Sequence, residues 1–306
     1  MSNTMQAVTI LTPTYNRKEN LKKLYASLCE QASKSFCWLV VDDGSIDGTE
    51  DLVRLWKTEA DFPLRYLYKE NGGKHTALNM GIGLIETELT FIVDSDDWLP
   101  ENAVEIILKY HEKYRKMEGL CGYSFLRFYP DGRVNDAFYP QDEWIDTYIN
   151  ARINAGIAGD KAEVFFTDVL KQYPFPVYEG EKFVPEDLIW IQMSGPYKMV
   201  HINQCVYISD YLEGGLTRSG RRMKIHSPKA MTERARLYLN DTSVNRKTKC
   251  KMCLLYVIYG HFAHYSGKRM ADGLKQKLWY MAGFVPGTFL YLVWNYKFGK
   301  KAEQKT

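Results

Sequence analysis

Short apolar runs alternate with helical repeats in the first third of the chain. The runs at 7–12, 36–41, 64–68 and 89–93 have the length and the β-branched or aromatic content of buried strands. Between these runs, apolar residues recur every three or four positions, which is the spacing of one helix face. Strands that alternate with helices predict a parallel sheet with right-handed crossovers. The intervening helices are expected at 21–28, 48–56 and 76–85.

The same pattern divides the chain into an α/β domain and a helical tail. We predict a mostly parallel sheet with helices on both faces over residues 1–220, and helices over 221–306. Ser227 and Pro228 have the residue types of an N-cap and a first helical position. The tail helices are expected from 228, over 246–264 and from 275 onward.

Carboxylates follow two of the predicted strands at the point where each strand ends. Asp42 and Asp43 come after the second strand, and Asp94, Asp96 and Asp97 come after the fourth. The carboxyl ends of parallel strands share one edge of a sheet, and ligands bind at that edge in open α/β sheets. Asp94 and Asp96 can face one ligand, because side chains two residues apart point the same way from extended backbone. The alternative is a solvated turn that begins the next helix.

A nucleoside diphosphate with a divalent metal fits these turns. Asp43 can accept a hydrogen bond from a base N–H, Asp94 can bind ribose hydroxyls, and Asp96 can hold Mn²⁺ or Mg²⁺ against the phosphates. Lys74, after two glycines, adds positive charge at the diphosphate, although an ordinary surface loop would have the same composition. Neither a P-loop sequence nor a G-x-G-x-x-G sequence is present to compete for this edge.

Composition narrows the class of protein. With 306 residues, 45% of them hydrophobic, the chain can bury a full core. A net charge of +3 is too small to indicate nucleic acid as a partner. Six cysteines at irregular spacing, and a first segment without an apolar h-region, favour a reducing cytoplasm.

Four segments occur in a defined order, namely VTILTPTYNR, LVVDDGSIDGT, NGGKHTALNMGI and TFIVDSDDWLP. This order resembles the nucleotide-sugar-binding half of family 2 glycosyltransferases with the GT-A fold, over residues 1–120. Three later segments within 121–220, GDKAEVF, EKFVPEDLIW and DYLEGGLTR, are more loosely similar to the acceptor half of bacterial surface-polysaccharide members. The resemblance implies a nucleotide-sugar donor, a UDP-sugar, and a saccharide acceptor linked to a polyprenyl lipid. It implies donor-binding roles for Pro13, Thr14, Tyr15, Asp43, Lys74 and Asp94, and a metal at Asp96.

The catalytic base is expected in the pair Glu186–Asp187, where the family carries an E-D pair. Transfer with inversion needs one carboxylate to take the proton of the acceptor hydroxyl, while a metal stabilises the departing nucleoside diphosphate. The pair follows Pro185 and precedes an apolar run, so it lies in the first turn of a predicted helix. Simple helix capping is the alternative. We assign the base to Asp187 and keep Glu186 as the other candidate.

We therefore predict that the protein is an inverting, metal-dependent glycosyltransferase in the biosynthesis of capsule, exopolysaccharide or O-antigen. A sugar nucleotidyltransferase would carry a Gly-rich, Arg-containing loop after the first strand, where this chain has Pro13-Thr14-Tyr15-Asn16. A non-catalytic nucleotide- or glycan-binding protein would not need both the D-x-D pair and the distant acids. His75 either touches the diphosphate or is a plain loop residue.

Two further clusters have competing interpretations. Arg218, Arg221, Arg222 and Lys224 are expected in a loop that either closes over the diphosphate or is solvated. Cys250, Cys253, His261 and His264 suggest zinc, but on one continuous helix Cys253 and His261 would be about 12 Å apart. An apolar helix face is the preferred interpretation of that cluster.

The stretch 278–294 is uncharged, rich in Trp and Tyr, and flanked by lysines. Spanning a bilayer takes about 20 apolar residues, and Pro286–Gly287 should break the helix. We therefore expect two half-helices in the headgroup layer, which would hold the protein peripherally on the inner face of the cell membrane. A hairpin buried against the catalytic domain or a second subunit is the alternative.

Overall fold

The computed structural model describes residues 7–135, 137–209 and 216–299. Contacts between residues divide them into two compact units. The first contains the described residues up to Phe175 together with 196–209, and the second contains Pro176–Gly195 together with 216–299. Part of the quoted segment DYLEGGLTR, at 210–215, lies outside the described residues.

The described residues of the first unit form an eight-stranded sheet in the order β3-β2-β1-β4-β7-β5-β8-β6. Its strands are β1 Val8–Thr14, β2 Phe36–Asp42, β3 Leu64–Tyr68, β4 Leu89–Ile92, β5 Leu120–Phe128, β6 Trp144–Asp146, β7 Lys161–Phe166 and β8 Lys198–Ile208. Its helices are α1 Lys18–Cys29, α2 Thr49–Glu59, α3 Lys74–Gly83, α4 Ala103–Tyr114 and α5 Thr167–Leu170, with a π-helical turn at Ile149–Asn154.

Strands β1 to β4 form the predicted parallel sheet. Strand β1 pairs in parallel with both β2 and β4, and β2 pairs in parallel with β3. Apolar residues drive this arrangement, because β1 is buried along its whole length and α1 packs Leu21, Leu24 and Leu28 into the same core. The mixed α/β fold class with a mostly parallel sheet is confirmed.

The sequence analysis did not predict the other half of the sheet. Strand β7 runs antiparallel between β4 and β5, and β5 pairs in parallel with β8. Gly122 of β5 has φ +150°, and a Cβ there would lie 2.1 Å from the carbonyl oxygen of Val164. Only glycine permits this close approach of β5 to β7.

The second unit is helical in its described residues. Its helices are α6 Asp187–Met193, α7 Leu216–Ile225, α8 Pro228–Asn240, α9 Arg246–Phe262, α10 Gly267–Met270 and α11 Leu274–Trp294, followed by a π-helical turn at Asn295–Gly299. Helices α8, α9 and α11 are the three predicted tail helices. The prediction assigned 121–220 to the α/β domain, whereas the contacts group Pro176–Gly195 with the helices, because α6 packs on α8.

Glu181 supports the start of α8. Ser227 is the N-cap residue of α8, but its side chain makes no capping hydrogen bond. The backbone N–H groups of Lys229 and Ala230 instead donate to the Glu181 carboxylate at 2.7 and 3.0 Å. An acid at a helix N-terminus satisfies free N–H groups and the helix dipole, so the cap comes from a residue distant in sequence.

Two local predictions about the tail are wrong. Arg221, Arg222 and Lys224 lie on helix α7 and not in a loop. Helix α11 is continuous through Pro286. A proline inside a helix costs about 3 kcal/mol or more, but α11 packs on α9 on both sides of it, since Gly283 abuts Cys253 and Gly287 abuts Val257. Among the described residues, no helix has both the length and the apolar character needed to cross a bilayer.

Candidate functional site

The ends of β1, β2 and β4 bring the predicted polar turns to one edge of the sheet. Thr14 is paired with Asp42, and the backbone N–H of Asp43 donates to the Thr14 carbonyl at 2.8 Å. The N–H of Val93, at the end of β4, donates to the carbonyl of Leu11 at 3.0 Å. The turns after the first, second and fourth strands are therefore neighbours, as the strand-end argument predicted.

The carboxylate of Asp43 organises the loop between β3 and α3. One carboxylate oxygen accepts from Lys69 Nζ at 2.7 Å and from the N–H of Gly72 at 2.9 Å, and the other accepts from the N–H of Gly73 at 2.7 Å. Asn71 also donates to Asp43. The Asp43 side chain is 4% exposed, and it closes the loop that leads into Lys74. Sequence analysis missed Lys69, although its place two residues before the segment NGGKHTALNMGI could have suggested it.

Lys74 forms an ion pair with Asp94. Burial alone would raise the pKa of the Asp94 carboxyl, but Lys74 and Arg127 outweigh that effect and hold its pKa below the usual range. Asp94 is therefore a carboxylate at neutral pH. Lys74 of α3 and Asp94 of the turn after β4, both predicted to bind the donor, are therefore in direct contact.

A buried network supports the turn after β4 from behind. The Asp94 N–H donates to the hydroxyl of Tyr207 at 3.0 Å, and that hydroxyl donates to Asp97 at 2.8 Å. Arg127 stacks on the Tyr207 ring at 3.9 Å and has a nitrogen 3.8 Å from the Asp97 carboxylate. Burial, and then the charge of Asp94, raise the pKa of Asp97 to about 7. Sequence analysis missed Arg127 and Tyr207, because they come from β5 and β8 and no local pattern marks them.

Asp96 pairs with Arg17 at 3.0 Å, and both side chains are about one-third exposed. In the described residues, no group of three or more His, Cys, Asp and Glu side chains can hold a metal ion by itself. A carboxylate oxygen is nevertheless a suitable ligand for Mn²⁺ or Mg²⁺, and Mg²⁺ sites often combine one or two carboxylates with substrate phosphates. Asp96 therefore fits a metal site that the phosphates of a ligand would complete.

Several polar atoms at this edge have no partner within the described structure. Thr14, at the end of β1, has a buried hydroxyl oxygen without a hydrogen bond. His75 is 1% exposed, and both of its ring nitrogens lack partners. Burial lowers the pKa of His75, so its ring is neutral at pH 7. Pro13 is buried in β1, and Tyr15 is 49% exposed.

The acids proposed for proton transfer lie in the second unit. Glu186 is the N-cap of α6 and Asp187 is its first residue, as predicted. Arg234 Nε donates to the two oxygens of Asp187 at 2.7 and 2.8 Å, and the Tyr238 hydroxyl donates to it at 3.0 Å. The Asp187 side chain is 16% exposed, so its orientation is fixed by α8.

A second basic side chain of the second unit, Lys224, interacts with Asp187. Lys224 of α7 is half-buried, and burial followed by the charge of Arg234 lowers its pKa. Arg221 lies 5.0 Å from the centre of the Trp294 ring. The basic residues predicted for a loop therefore belong to a helix that is attached to the end of α11 by a cation–π contact.

The sheet, with its charged edge, has the architecture of glycosyltransferases with the GT-A fold. The chain belongs to glycosyl transferase family 2, whose family model matches residues 9–170. The predicted family is confirmed, and the matched segment includes Asp43, Lys74, Asp94 and Asp96.

Curated relatives are bacterial glycosyltransferases. Glycosyltransferase GlyA of Streptococcus pneumoniae serotype 4 is 25% identical over 76% of this chain and 35% of its own length. Poly(ribitol-phosphate) beta-N-acetylglucosaminyltransferase TarP of Staphylococcus aureus is 32% identical over 35% of this chain and 33% of its own. Putative teichuronic acid biosynthesis glycosyltransferase TuaG of Bacillus subtilis is 28% identical over 50% of this chain and 60% of its own length. The chain thus spans about a third of the length of the first two relatives.

Two solved structures have the same fold. Residues 1–349 of S. aureus TarS, in complex with UDP-GlcNAc, match 90% of this chain and 79% of that one, with a TM-score of 0.61 and 19% identity. The mannosyltransferase PcManGT from Pyrobaculum calidifontis, in complex with GDP-Man and Mn²⁺, matches 94% of this chain and 83% of its own, with a TM-score of 0.57 and 18% identity. At these identities the likeness establishes the fold.

We expect Asp43→Asn to destabilise the first unit by about 2–4 kcal/mol, because it removes the charge that Lys69 and two backbone N–H groups share in a buried position. Chemical denaturation measures this change. Asp61→Asn is the matched control, since Asp61 pairs with Lys34 while 64% exposed and should cost less than about 1 kcal/mol. Equal effects of the two variants would contradict the role assigned to Asp43.

Proposed function

We propose that the protein transfers a sugar from a nucleotide-diphosphate donor, a UDP-sugar, to a saccharide acceptor. The observation that carries this proposal is the charged edge of the sheet, where Asp43, Lys74, Asp94 and Asp96 converge within the segment that the family model matches. The structure of TarS with UDP-GlcNAc supports a UDP-sugar as the donor. Pro13, Thr14 and Tyr15 would contact the nucleoside from the end of β1.

The side chains of the edge have separate roles in this proposal, in which Asp43 holds the loop before Lys74. The unpartnered Thr14 hydroxyl is a hydrogen-bonding group for the nucleoside. Asp94 binds ribose hydroxyls, and Lys74 is beside it to receive the diphosphate. Arg17 pairs with Asp96 and can turn to a phosphate, because both side chains are partly exposed.

A divalent metal, Mn²⁺ or Mg²⁺, would be held by Asp96 and would neutralise charge on the leaving diphosphate. The structure of PcManGT with GDP-Man and Mn²⁺ supports a metal of this kind. In the proposed reaction, the acceptor oxygen forms a bond to the anomeric carbon while the bond from that carbon to the phosphate oxygen breaks. Asp187 takes the acceptor proton, and a single displacement inverts the anomeric centre.

The acceptor is proposed to belong to a bacterial surface polysaccharide such as capsule, exopolysaccharide or O-antigen, linked to a polyprenyl lipid. The names of TarP and TuaG, which refer to poly(ribitol-phosphate) and teichuronic acid, support a cell-envelope polymer. A lipid-linked acceptor would require the enzyme to work at a membrane surface, which we propose to be the cytoplasmic face.

A donor screen tests the proposal. Purified protein with Mn²⁺ should release UDP from one of several UDP-sugars, and EDTA should abolish the release. Asp96→Ala should lower turnover by about two orders of magnitude or more, because it removes an electrostatic contact to the leaving group. Manganese EPR in the presence of UDP measures metal binding separately from turnover.

Asp131→Ala is the control for this experiment, because Asp131 lies in an exposed turn and pairs with Arg133. Full transfer in EDTA, or by the Asp96→Ala variant, would refute metal dependence. Failure of every nucleotide sugar, with UDP still bound, would favour a nucleotide-binding protein over an enzyme.

Asp187→Asn should leave UDP binding nearly unchanged and reduce transfer by a factor of about 10² to 10⁴, the range for loss of a general base. Single-turnover kinetics measures the effect, and thermal denaturation checks that the variant folds without its full contact to Arg234. Glu186→Gln is the matched variant on the neighbouring acid. A larger loss in Glu186→Gln would assign the base to Glu186.

We further propose that α11 lies on an anionic membrane surface. Exposed large apolar side chains recur along it every three or four residues, so they form one face. The members of this face are Leu274, Leu278, Met281, Val285, Phe289 and Leu292, and the exposed Phe284 lies beside it. The buried Gly283 and Gly287 lie on the side that packs against α9.

Exposed lysines flank this apolar face, and they complement an anionic headgroup layer. Lys275 and Lys277 lie at the start of α11 and Lys297 lies just beyond its end. Each basic residue near such a surface contributes about 1 kcal/mol. Lys300 and Lys301, which belong to the same prediction, lie outside the described residues.

The double variant Val285→Glu/Phe289→Glu should reduce binding to phosphatidylglycerol-containing vesicles by about tenfold or more, because it replaces the apolar groups that would be buried in the bilayer surface. Vesicle co-sedimentation measures the bound fraction. Leu55→Glu is the control, since Leu55 is 54% exposed on α2 in the other unit. A wild-type chain that is monomeric and stays in the supernatant would contradict membrane binding.

A further inference from the structure

The second unit contains a polar cavity of about 310 Å³ that the proposed reaction does not use. That volume is at the lower end of the range for small-ligand sites, roughly 300–1,000 Å³. The cavity is formed by side chains from α8, α9, the start of α11 and the segment between α9 and α11, which includes α10, together with one tyrosine from the segment before α6. Its lining residues are Tyr178, Lys229, Thr232, Glu233, Arg236, Tyr256, Tyr265, Arg269, Asp272 and Gln276.

Helix α8 separates this cavity from Asp187. Its four lining residues, at 229, 232, 233 and 236, have the i, i+3, i+4, i+7 spacing of one helix face. Arg234 and Tyr238, which bind Asp187, fall on the opposite face. The cavity is therefore a different site from the proposed base, on the other side of one helix.

Three tyrosine rings form part of the wall of the cavity, whose lining is mainly polar. The Tyr256 hydroxyl donates to the carbonyl of Met270 at 2.9 Å, which fixes that ring. The guanidinium of Arg269 stacks on the Tyr265 ring at 3.8 Å. Burial raises the pKa of Tyr178, so its hydroxyl remains neutral and can both donate and accept. Tyrosines of this kind combine an apolar face with a polar tip.

The lining of the cavity has one more cationic than acidic side chain. Arg236 donates to Glu233 at 2.7 Å, so these two charges compensate each other. Lys229 Nζ donates to a carbonyl oxygen, that of Glu179, at 3.1 Å. Within the described residues, Arg269 has no carboxylate within ion-pair distance. In the lining, Lys229 and Arg269 therefore remain against one acid, Asp272. The Glu181 carboxylate, which caps α8 from outside the lining, offsets part of the Lys229 charge, so Arg269 is the main cationic group for a ligand.

We infer that this cavity binds an anionic saccharide, a sugar ring that carries a carboxylate or a phosphate. A pyranose presents C–H groups on its faces, against which tyrosine rings can pack. Its rim carries hydroxyls, which can exchange hydrogen bonds with Gln276, Asp272 and Thr232. Arg269 and Lys229 would pair with the anionic group. The binding itself does not depend on the proposed transfer, whereas assigning the bound sugar to the acceptor polymer rests on the proposed function.

Saturation-transfer difference NMR on the full-length protein tests the inference, with glucose 6-phosphate and glucuronic acid as probes and with glucose and inorganic phosphate as comparisons. The two anionic sugars should receive saturation at their ring protons and bind about tenfold more tightly than glucose. Arg269→Gln should weaken both anionic sugars by about tenfold, the loss expected for one charge-assisted contact. Arg269 is exposed, so this variant does not disturb the core.

Lys268→Gln is the matched control, because Lys268 is the exposed neighbour of Arg269 and does not line the cavity. The control should bind both anionic sugars as the wild type does. Tyr265→Ala is a second cavity variant and should weaken the sugars through loss of the ring wall. Equal binding of glucose and glucose 6-phosphate, displacement of the sugars by phosphate alone, or equal losses in Arg269→Gln and Lys268→Gln would overturn the inference.

The same samples separate this inference from the proposed function. UDP binding, followed through its uracil protons, reports on the proposed donor site at the sheet edge of the first unit. If UDP binds and a UDP-sugar is cleaved while the anionic sugars do not bind, the cavity inference is overturned and the transferase proposal stands. If the anionic sugars bind in the Arg269-dependent manner and no donor is cleaved, the cavity inference stands and the transferase proposal fails.

Discussion

The buried carboxylate of Asp43 connects the turns on which the candidate donor site depends. Its own N–H reaches the carbonyl of Thr14 at the end of β1, and its oxygens hold Lys69 and the N–H groups of Gly72 and Gly73. A carboxylate that is 4% exposed is stable only when such donors surround it. Helix α3 begins immediately after this loop, so the position of Lys74, and with it the pair Lys74–Asp94, depends on Asp43, the residue that follows β2.

The parts of the fold that the sequence could predict are those that depend on local pattern. Each of β1 to β4 is a short apolar run that ends at a polar turn, and the geometry of parallel strands then determines that Asp43, Asp94 and Asp96 share an edge. Strands β5 to β8 were missed because their pairing depends on distant segments. Tyr207 reaches the Asp94 N–H across 113 positions of sequence, and no periodicity contains that information.

The second unit shows how tertiary packing overrides a local rule. Pro286 predicted a break, but the close contacts of Gly283 and Gly287 with α9 support α11 on both sides of the proline. The small residues that permit this packing also determine which face of α11 is exposed. The partner of Asp187 was equally inaccessible to sequence analysis, since Arg234 lies 47 positions away on another helix.

The ion pairs at the sheet edge have a consequence for the kinetics of ligand exchange. Arg17 and Lys74 already neutralise Asp96 and Asp94 in the structure. A diphosphate that recruits either cation must take it from a carboxylate, so the free energy of binding is the difference between two sets of ion pairs. Such an exchange lowers the affinity for the anion. When the anion dissociates, the cation that bound it can pair again with its carboxylate at once. A site built in this way can release a highly charged product quickly, because no unpaired charge is left behind at the moment of dissociation.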